Sequence, residues 1–245
     1  MMILRLSICT LFILGIFSVR AQTKSEFQIG LATPLGDFSD YKIDKAIVGG
    51  SGSASTGFYF GYKSLTPLGS KEWFWTINFG IMNNGLNSYY QEDIENSLKE
   101  SAFFRSDLKS KFSNYLNIPL LVGLQYEKMF TSNSKLFGEV GLGCDYLKIS
   151  DMSFDWYYAN DVRGYNLSSS LDFNPSIQLG YKVGGGILVN DRLAIELNYL
   201  WLGSHKQRYV ISKSLDQLSA DVSDELRFDQ KLSISSFNIT LGYRL

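Results

Sequence analysis

The stretch Trp73-Phe74-Trp75-Thr76-Ile77-Asn78-Phe79-Gly80-Ile81 decides the fold. Successive side chains of a β-strand point to opposite faces. As a strand, this segment presents Trp73, Trp75, Ile77, Phe79 and Ile81 on one side and Thr76, Asn78 and Gly80 on the other. A helix would scatter both sets around its circumference, because its faces repeat every three or four residues. One face of this strand is built for an apolar surrounding, and the other is small and polar.

Outward from this stretch, the same two-residue period returns in seven further segments. Upstream, Phe27, Ile29 and Leu31 alternate with Gln28 and Gly30. Ala54, Thr56, Phe58, Phe60 and Tyr62 oppose Ser53, Ser55, Gly57, Gly61 and Lys63, with Tyr59 the one large residue on that side. Downstream, Leu116, Ile118, Leu120, Val122, Leu124 and Tyr126 face away from Tyr115, Asn117, Pro119, Leu121, Gly123 and Gln125. Leu136, Val140, Leu142, Cys144 and Tyr146 face away from Glu139, Gly141, Gly143 and Asp145. Phe173, Ile177, Leu179, Tyr181, Val183 and Ile187 oppose Ser176, Gln178, Gly180, Lys182, Gly184 and Gly186. Leu193, Ile195, Leu197, Tyr199 and Trp201 oppose Ala194, Glu196 and Asn198, and Phe237, Ile239, Leu241, Tyr243 and Leu245 oppose Ser236, Asn238, Thr240, Gly242 and Arg244.

The connections alternate in length as an up-and-down barrel demands. Residues 33–52, 83–111, 148–170 and 202–231 read as long polar loops, whereas 64–71, 127–134 and 189–192 are short, with Val189-Asn190-Asp191-Arg192 a tight hairpin turn. Within the second and fourth long loops, Gln91 to Glu100 and Ser214 to Arg227 have the spacing of short amphipathic helices that cap the barrel mouth.

Arg5 precedes an apolar run from Leu6 to Val19 that closes on Val19-Arg20-Ala21. That is the shape of a secretory signal, which predicts removal of residues 1–21 and one β domain over 22–245. Cys9 lies inside the apolar run and Cys144 stands alone after it, so neither lipidation nor an intrachain disulfide is expected. The chain carries 23 basic and 24 acidic residues, and losing Arg5 and Arg20 makes it more acidic, which argues against nucleic-acid binding. No later stretch reaches the roughly 18 apolar residues of a membrane helix. Any crossing of a bilayer has to be made by strands.

Aromatic side chains cluster at the ends of the apolar faces. Tyr62, Trp73, Trp75, Tyr126, Tyr181 and Tyr243 are read near the short turns or the C-terminus, and Tyr146, Tyr199 and Trp201 near the long loops. Amphipathic rings prefer the two interfaces of a membrane, so these residues predict a pair of girdles. The expected fold is therefore all-β: an eight-stranded antiparallel up-and-down transmembrane barrel with four long extracellular loops and short periplasmic turns.

The Phe27-Gln28-Ile29-Gly30 opening, the Tyr115-Leu116-Asn117-Ile118-Pro119-Leu120 strand and the terminal Phe237-to-Leu245 strand, together with the signal, resemble the outer-membrane β-barrel domain family that includes PorT-like proteins. The resemblance covers essentially the whole mature chain. It implies location in a bacterial outer membrane, insertion by the barrel-assembly machinery, and an accessory role in protein export or surface assembly. The last residue, Leu245, departs from the terminal Phe common among such proteins.

A soluble lipocalin-like barrel would also alternate, with its apolar set turned inward. In a membrane barrel the glycines instead make room for long charged chains, and Lys63, Glu139, Asp145, Lys182, Glu196 and Arg244 are expected to pair inside as a plug, as in OmpA-like barrels. A narrow channel for ions or small solutes is the alternative use of those charges. His205, the sole histidine, reads as an exposed loop residue. Its neighbour Ser204 points to the opposite face, which weakens a hydrolase arrangement with Glu196, the layout of lipid-modifying outer-membrane enzymes. Trp156, Tyr157 and Tyr158 read either as loop recognition residues or as an extension of the outer girdle packed on a neighbouring loop, and Gly184-Gly185-Gly186 lacks the context of a phosphate loop. No catalytic residue, metal or cofactor is expected. The predicted partners are outer-membrane lipid and an envelope protein or surface polymer, met through the loops by a non-enzymatic barrel.

Overall fold

The computed structural model describes residues 23–40, 52–101, 106–159, 164–215 and 226–245; the predicted signal lies outside them. In chain order the strands are β1 (Lys24–Leu35), β2 (Gly57–Leu68), β3 (Ser70–Gly85), β4 (Ser106–Lys111), β5 (Asn114–Thr131) and β6 (Ser134–Ile149). They continue with β7 (Met152–Ala159), β8 (Gly164–Phe173), β9 (Ser176–Val189), β10 (Leu193–Leu215) and β11 (Leu226–Arg244), and one α-helix, α1, spans Ser88–Ser101. Antiparallel pairing runs β1–β2–β3–β5–β6–β9–β10–β11, and β11 pairs again with β1. Eight strands thereby close into a barrel with no free edge along its wall.

The alternation sorts the side chains as the pattern requires. Phe27, Ile29, Phe58, Phe60, Trp75, Phe79, Leu142, Leu179, Val183, Ile195, Leu241 and Tyr243 are exposed on the outside, while Glu26, Gln28, Lys63, Thr76, Asn78, Glu139, Lys182, Glu196 and Arg244 are buried inside. An inward-facing core of the lipocalin type is excluded by this sorting. Glycine serves the interior as anticipated: a Cβ on Gly242 would stand 2.8 Å from Glu26 Oε1. The β9–β10 turn holds Asn190 and Asp191 at φ of 52° and 56°, a hairpin geometry that Asn and Asp tolerate well.

The wall does not end where the polar segments begin. β1 leaves β11 at Leu35 opposite Ser235, yet β10 and β11 stay paired as far as Ile211 opposite Leu226. Beyond the rim β8 joins β10, from Tyr209–Phe173 to Leu215–Leu167; β7 joins β8 and β4 joins β7. The stretches read as long loops therefore contain strands that carry the sheet past the barrel on the side of the long connections. Their alternation was masked because their outer face meets polar surroundings: Lys109, Lys111, Asp155 and Asp172 are exposed, while Met152, Phe154 and Leu171 are buried beneath.

Two further expectations are corrected here. Ala54 is buried and forms only an isolated bridge to Leu86, so β2 begins at Gly57 rather than at Ala54. Phe173 closes β8 and packs toward the interior cluster instead of opening β9. The helix expected over Gln91–Glu100 lies within α1, begun by Asn87, whose side chain accepts from the Tyr89 amide at 2.9 Å. Of the helix expected over Ser214–Arg227, residues 216–225 lie outside the described part, and both ends are strand.

Candidate functional site

The interior has two layers of opposite character. Toward the short turns lies a continuous ionic network. Lys63 Nζ stands 2.7 Å from Glu196, 2.9 Å from Glu139 and 3.6 Å from Glu26. Lys182 Nζ bridges the same two acids, at 2.9 Å from Glu139 and 2.7 Å from Glu196. Thr76 and Asn78 donate to the other oxygen of Glu139, at 3.1 and 2.7 Å. Gln28 links Glu196 to Glu26, and Arg244 joins Glu26 to Glu127 at 3.0 and 2.7 Å.

Five of the predicted lumen charges therefore meet: Lys63, Glu139, Lys182, Glu196 and Arg244. The sixth, Asp145, does not join them. Glu26 and Glu127, which the sequence reading passed over, complete the network. Both sit at strand ends nearest the turns, and simply extending the alternation of β1 and β5 by one inward position would have found them. Buried charges with several well-aimed partners hold one geometry, and removing any one leaves the others uncompensated.

Toward the long connections the interior turns apolar. Phe38, Met82, Leu121, Leu147, Leu202 and Ile234 are almost fully buried and belong to one cluster with Leu200, Tyr115 and Phe154. The rings of Phe38 and Tyr115 meet edge to face at 5.2 Å. From α1, Tyr90 and Ile94 are buried in the cluster and Leu98 packs against it, an apolar stripe at four-residue spacing laid over the mouth. Among the described residues, buried side chains occupy both halves of the interior. The signal for this layer was a loss of alternation at the loop ends of strands, in Ile81-Met82, Tyr146-Leu147 and Tyr199-Leu200-Trp201-Leu202, where both faces are apolar.

His205 is the largest departure from the sequence reading. It is fully buried rather than an exposed loop residue. The cause is a β-bulge between Trp201 and Gly203, where Gly203 adopts a φ of 97°. One extra residue reverses the phase of the strand, so Ser204 and Lys206 turn outward and His205 inward. The ring Nε2 is 3.0 Å from Leu202 O and 3.3 Å from Asp145 Oδ2, and Nδ1 is 2.7 Å from Ser176 Oγ. A carbonyl can only accept, so this arrangement puts a proton on Nε2, while Nδ1 shares a hydrogen bond with the Ser176 hydroxyl. Asp145, His205 and Ser176 together tie β6, β10 and β9 at the level of the apolar layer.

The girdle aromatics Tyr62, Trp73, Trp75, Tyr126, Tyr146, Tyr199, Trp201 and Tyr243 all lie on the outer face. Trp73 contacts Tyr126 at 4.9 Å at the turn end. Tyr181 belongs with the other end: it pairs with Trp201 and meets the rings of Trp201 and Tyr199 at 5.4 and 6.1 Å, because β9 opens at Ser176 rather than at Phe173 and runs on to Val189 at its turn end. Trp156, Tyr157 and Tyr158 sit in β7, in register with Leu108, Asp107 and Ser106, not on a free loop; their side chains lie outside the described part. Among the described residues no cluster of metal-ligating side chains occurs.

No family model and no curated protein matches the chain. Among solved structures, the outer membrane protein OprG from Pseudomonas aeruginosa is similar with a TM-score of 0.48 and 16% identity, over 92% of this chain and 97% of that one. A major outer membrane protein from Thermus thermophilus has a TM-score of 0.47 and 10% identity, over 91% and 99%. Neisserial surface protein A has a TM-score of 0.40 and 10% identity, over 91% and 96%. Function has to come from the residues themselves.

Proposed function

We propose that this chain is a non-enzymatic bacterial outer-membrane barrel, its signal removed near Ala21, that holds an ordered sheet-and-helix platform above the membrane to bind an envelope protein or surface polymer. The observation that carries this reading is the distribution of material. The interior carries an ionic layer and an apolar layer, whereas β4, β7, β8 and the outer parts of β10 and β11 continue the same sheet beyond the rim. Its outer face is polar where described, with Lys109 opposite Asp155, Asp155 opposite Ser168, and Ser153 opposite Ser170. A surface of this kind suits hydrogen-bonded recognition. The PorT-like resemblance supports an accessory role in export or surface assembly, with insertion by the barrel-assembly machinery.

Membrane fractionation with boiled and unboiled gel migration tests the barrel. Cross-linking in intact outer membranes, with residues 150–175 replaced by a short turn, tests the platform. The barrel is expected to remain heat-modifiable and its cross-linked partner to disappear; retention of that partner by the shortened chain would refute the reading.

One observation favours a second reading, a lipid-modifying hydrolase: the Ser176 hydroxyl is hydrogen-bonded to a histidine ring whose other nitrogen faces a carbonyl and a carboxylate. Phospholipid and lipid A turnover in a His205→Ala variant separates the two. Equal turnover supports a clamp between strands, and lost turnover supports the enzyme.

A further inference from the structure

Just beyond the loop-end aromatic belt, the wall carries a rung that local electrostatics disfavours. β10 and β11 place Lys206 directly opposite Lys231, and both are exposed. Like charges facing each other across antiparallel strands repel. The chain as a whole has a net charge of −1, so the rung is not a by-product of a basic protein. It depends on the Gly203 bulge: without the change of phase, Lys206 would point into the apolar layer and His205 outward.

The neighbouring rungs are consistent with a purpose. Below the lysines, Ser204 is exposed and lies opposite the half-buried Ser233; below those, Tyr181, Tyr199 and Trp201 stack on the outer wall. Among the described side chains, the exposed charges of this rung are Lys206 and Lys231, just past the aromatic belt. The face below it is apolar, with Ile195, Leu197 and Ile239 exposed.

We propose that this part of the wall binds a phosphorylated glycolipid of the outer leaflet. Its phosphate sits between the Lys206 and Lys231 ammonium groups, its sugar hydroxyls lie against Ser204 and Ser233, and its acyl chains run down the Ile195, Leu197 and Ile239 face. The phosphate removes the repulsion that the bare protein carries. This inference rests on the membrane-spanning reading above.

Native mass spectrometry of the refolded barrel in detergent tests it, using a diphosphorylated glucosamine glycolipid and its dephosphorylated form as probes. Wild type is expected to retain the phosphorylated lipid and discriminate against the other. Lys231→Glu changes the local charge by two units and turns the rung into an attractive pair, so it should fold at least as well as wild type while losing affinity roughly 30-fold. Lys109→Glu, on the remote β4, should bind as wild type does. Equal binding of both lipids, undiminished binding by Lys231→Glu, or displacement by millimolar inorganic phosphate would each overturn the proposal. A chain that fractionates as soluble protein defeats the membrane reading itself, which separates the two failures.

Discussion

Replacing Lys63 with Met probes the ionic layer most directly. At an effective dielectric of about 20, its contacts of 2.7 Å with Glu196 and 2.9 Å with Glu139 are each worth about 6 kcal/mol of gross attraction. Most of that offsets the cost of burying the charges, so the difference to be measured is smaller. Removing one partner of a buried ion pair typically costs about 3–5 kcal/mol, because the remaining charges stay buried without compensation. After the substitution Glu139 and Glu196 share Lys182 alone. Lys63→Met should therefore destabilise the barrel by about 3–5 kcal/mol, read from urea unfolding in lipid vesicles by tryptophan fluorescence and gel migration. Adding Glu196→Gln restores the interior to its original net charge and leaves Lys182 paired with Glu139, so the double variant should recover at least half of the loss. A single-variant cost below about 1 kcal/mol, or a double variant no more stable than the single, would show that the network does not hold the interior as described.

Other outcomes follow from the same geometry. A side chain at Gly203 would place its Cβ 2.6 Å from both Gln178 Cβ and Leu179 O, at a φ only glycine tolerates well; Gly203→Val should cost at least about 2 kcal/mol in thermal unfolding. Phe38→Ala removes a fully buried ring from the apolar layer and should cost about 3–5 kcal/mol in the same measurement. In planar bilayers the wild-type barrel should show no single-channel steps, because buried side chains occupy both layers of the interior; regular steps would contradict the sealed interior. At the β9–β10 turn, the hydrogen bond from Lys135 holds the Asp191 carboxyl below the usual carboxylate range. Its small stabilisation is then fully present above the ordinary Asp range and fades as pH falls through the lowered value. Asp191→Asn should cost less than about 1 kcal/mol at neutral pH and nothing in acid, seen by comparing unfolding midpoints across pH.

Period-two alternation was enough to read the barrel from residues alone. Each apolar face in Trp73–Ile81, Leu116–Tyr126 or Phe237–Leu245 has a single stable partner, the outside, once its opposite face carries Asn78, Gln125 or Arg244. The placement of the strands and most of the lumen charges follow from that local rule, because the side-chain period of a strand is set by its backbone and not by its neighbours; the alternation of long and short connections supplied the up-and-down order. The tertiary structure alone decided the rest. A single extra residue at Gly203 reverses every following side chain, which moved His205 from solvent to a buried link with Asp145 and Ser176 and turned Lys206 toward Lys231. The polar segments 106–111, 152–159 and 164–173 became strands because β10 continues past the rim and offers an edge to pair with. That pairing is formed between residues far apart in sequence, and no window of local pattern contains it.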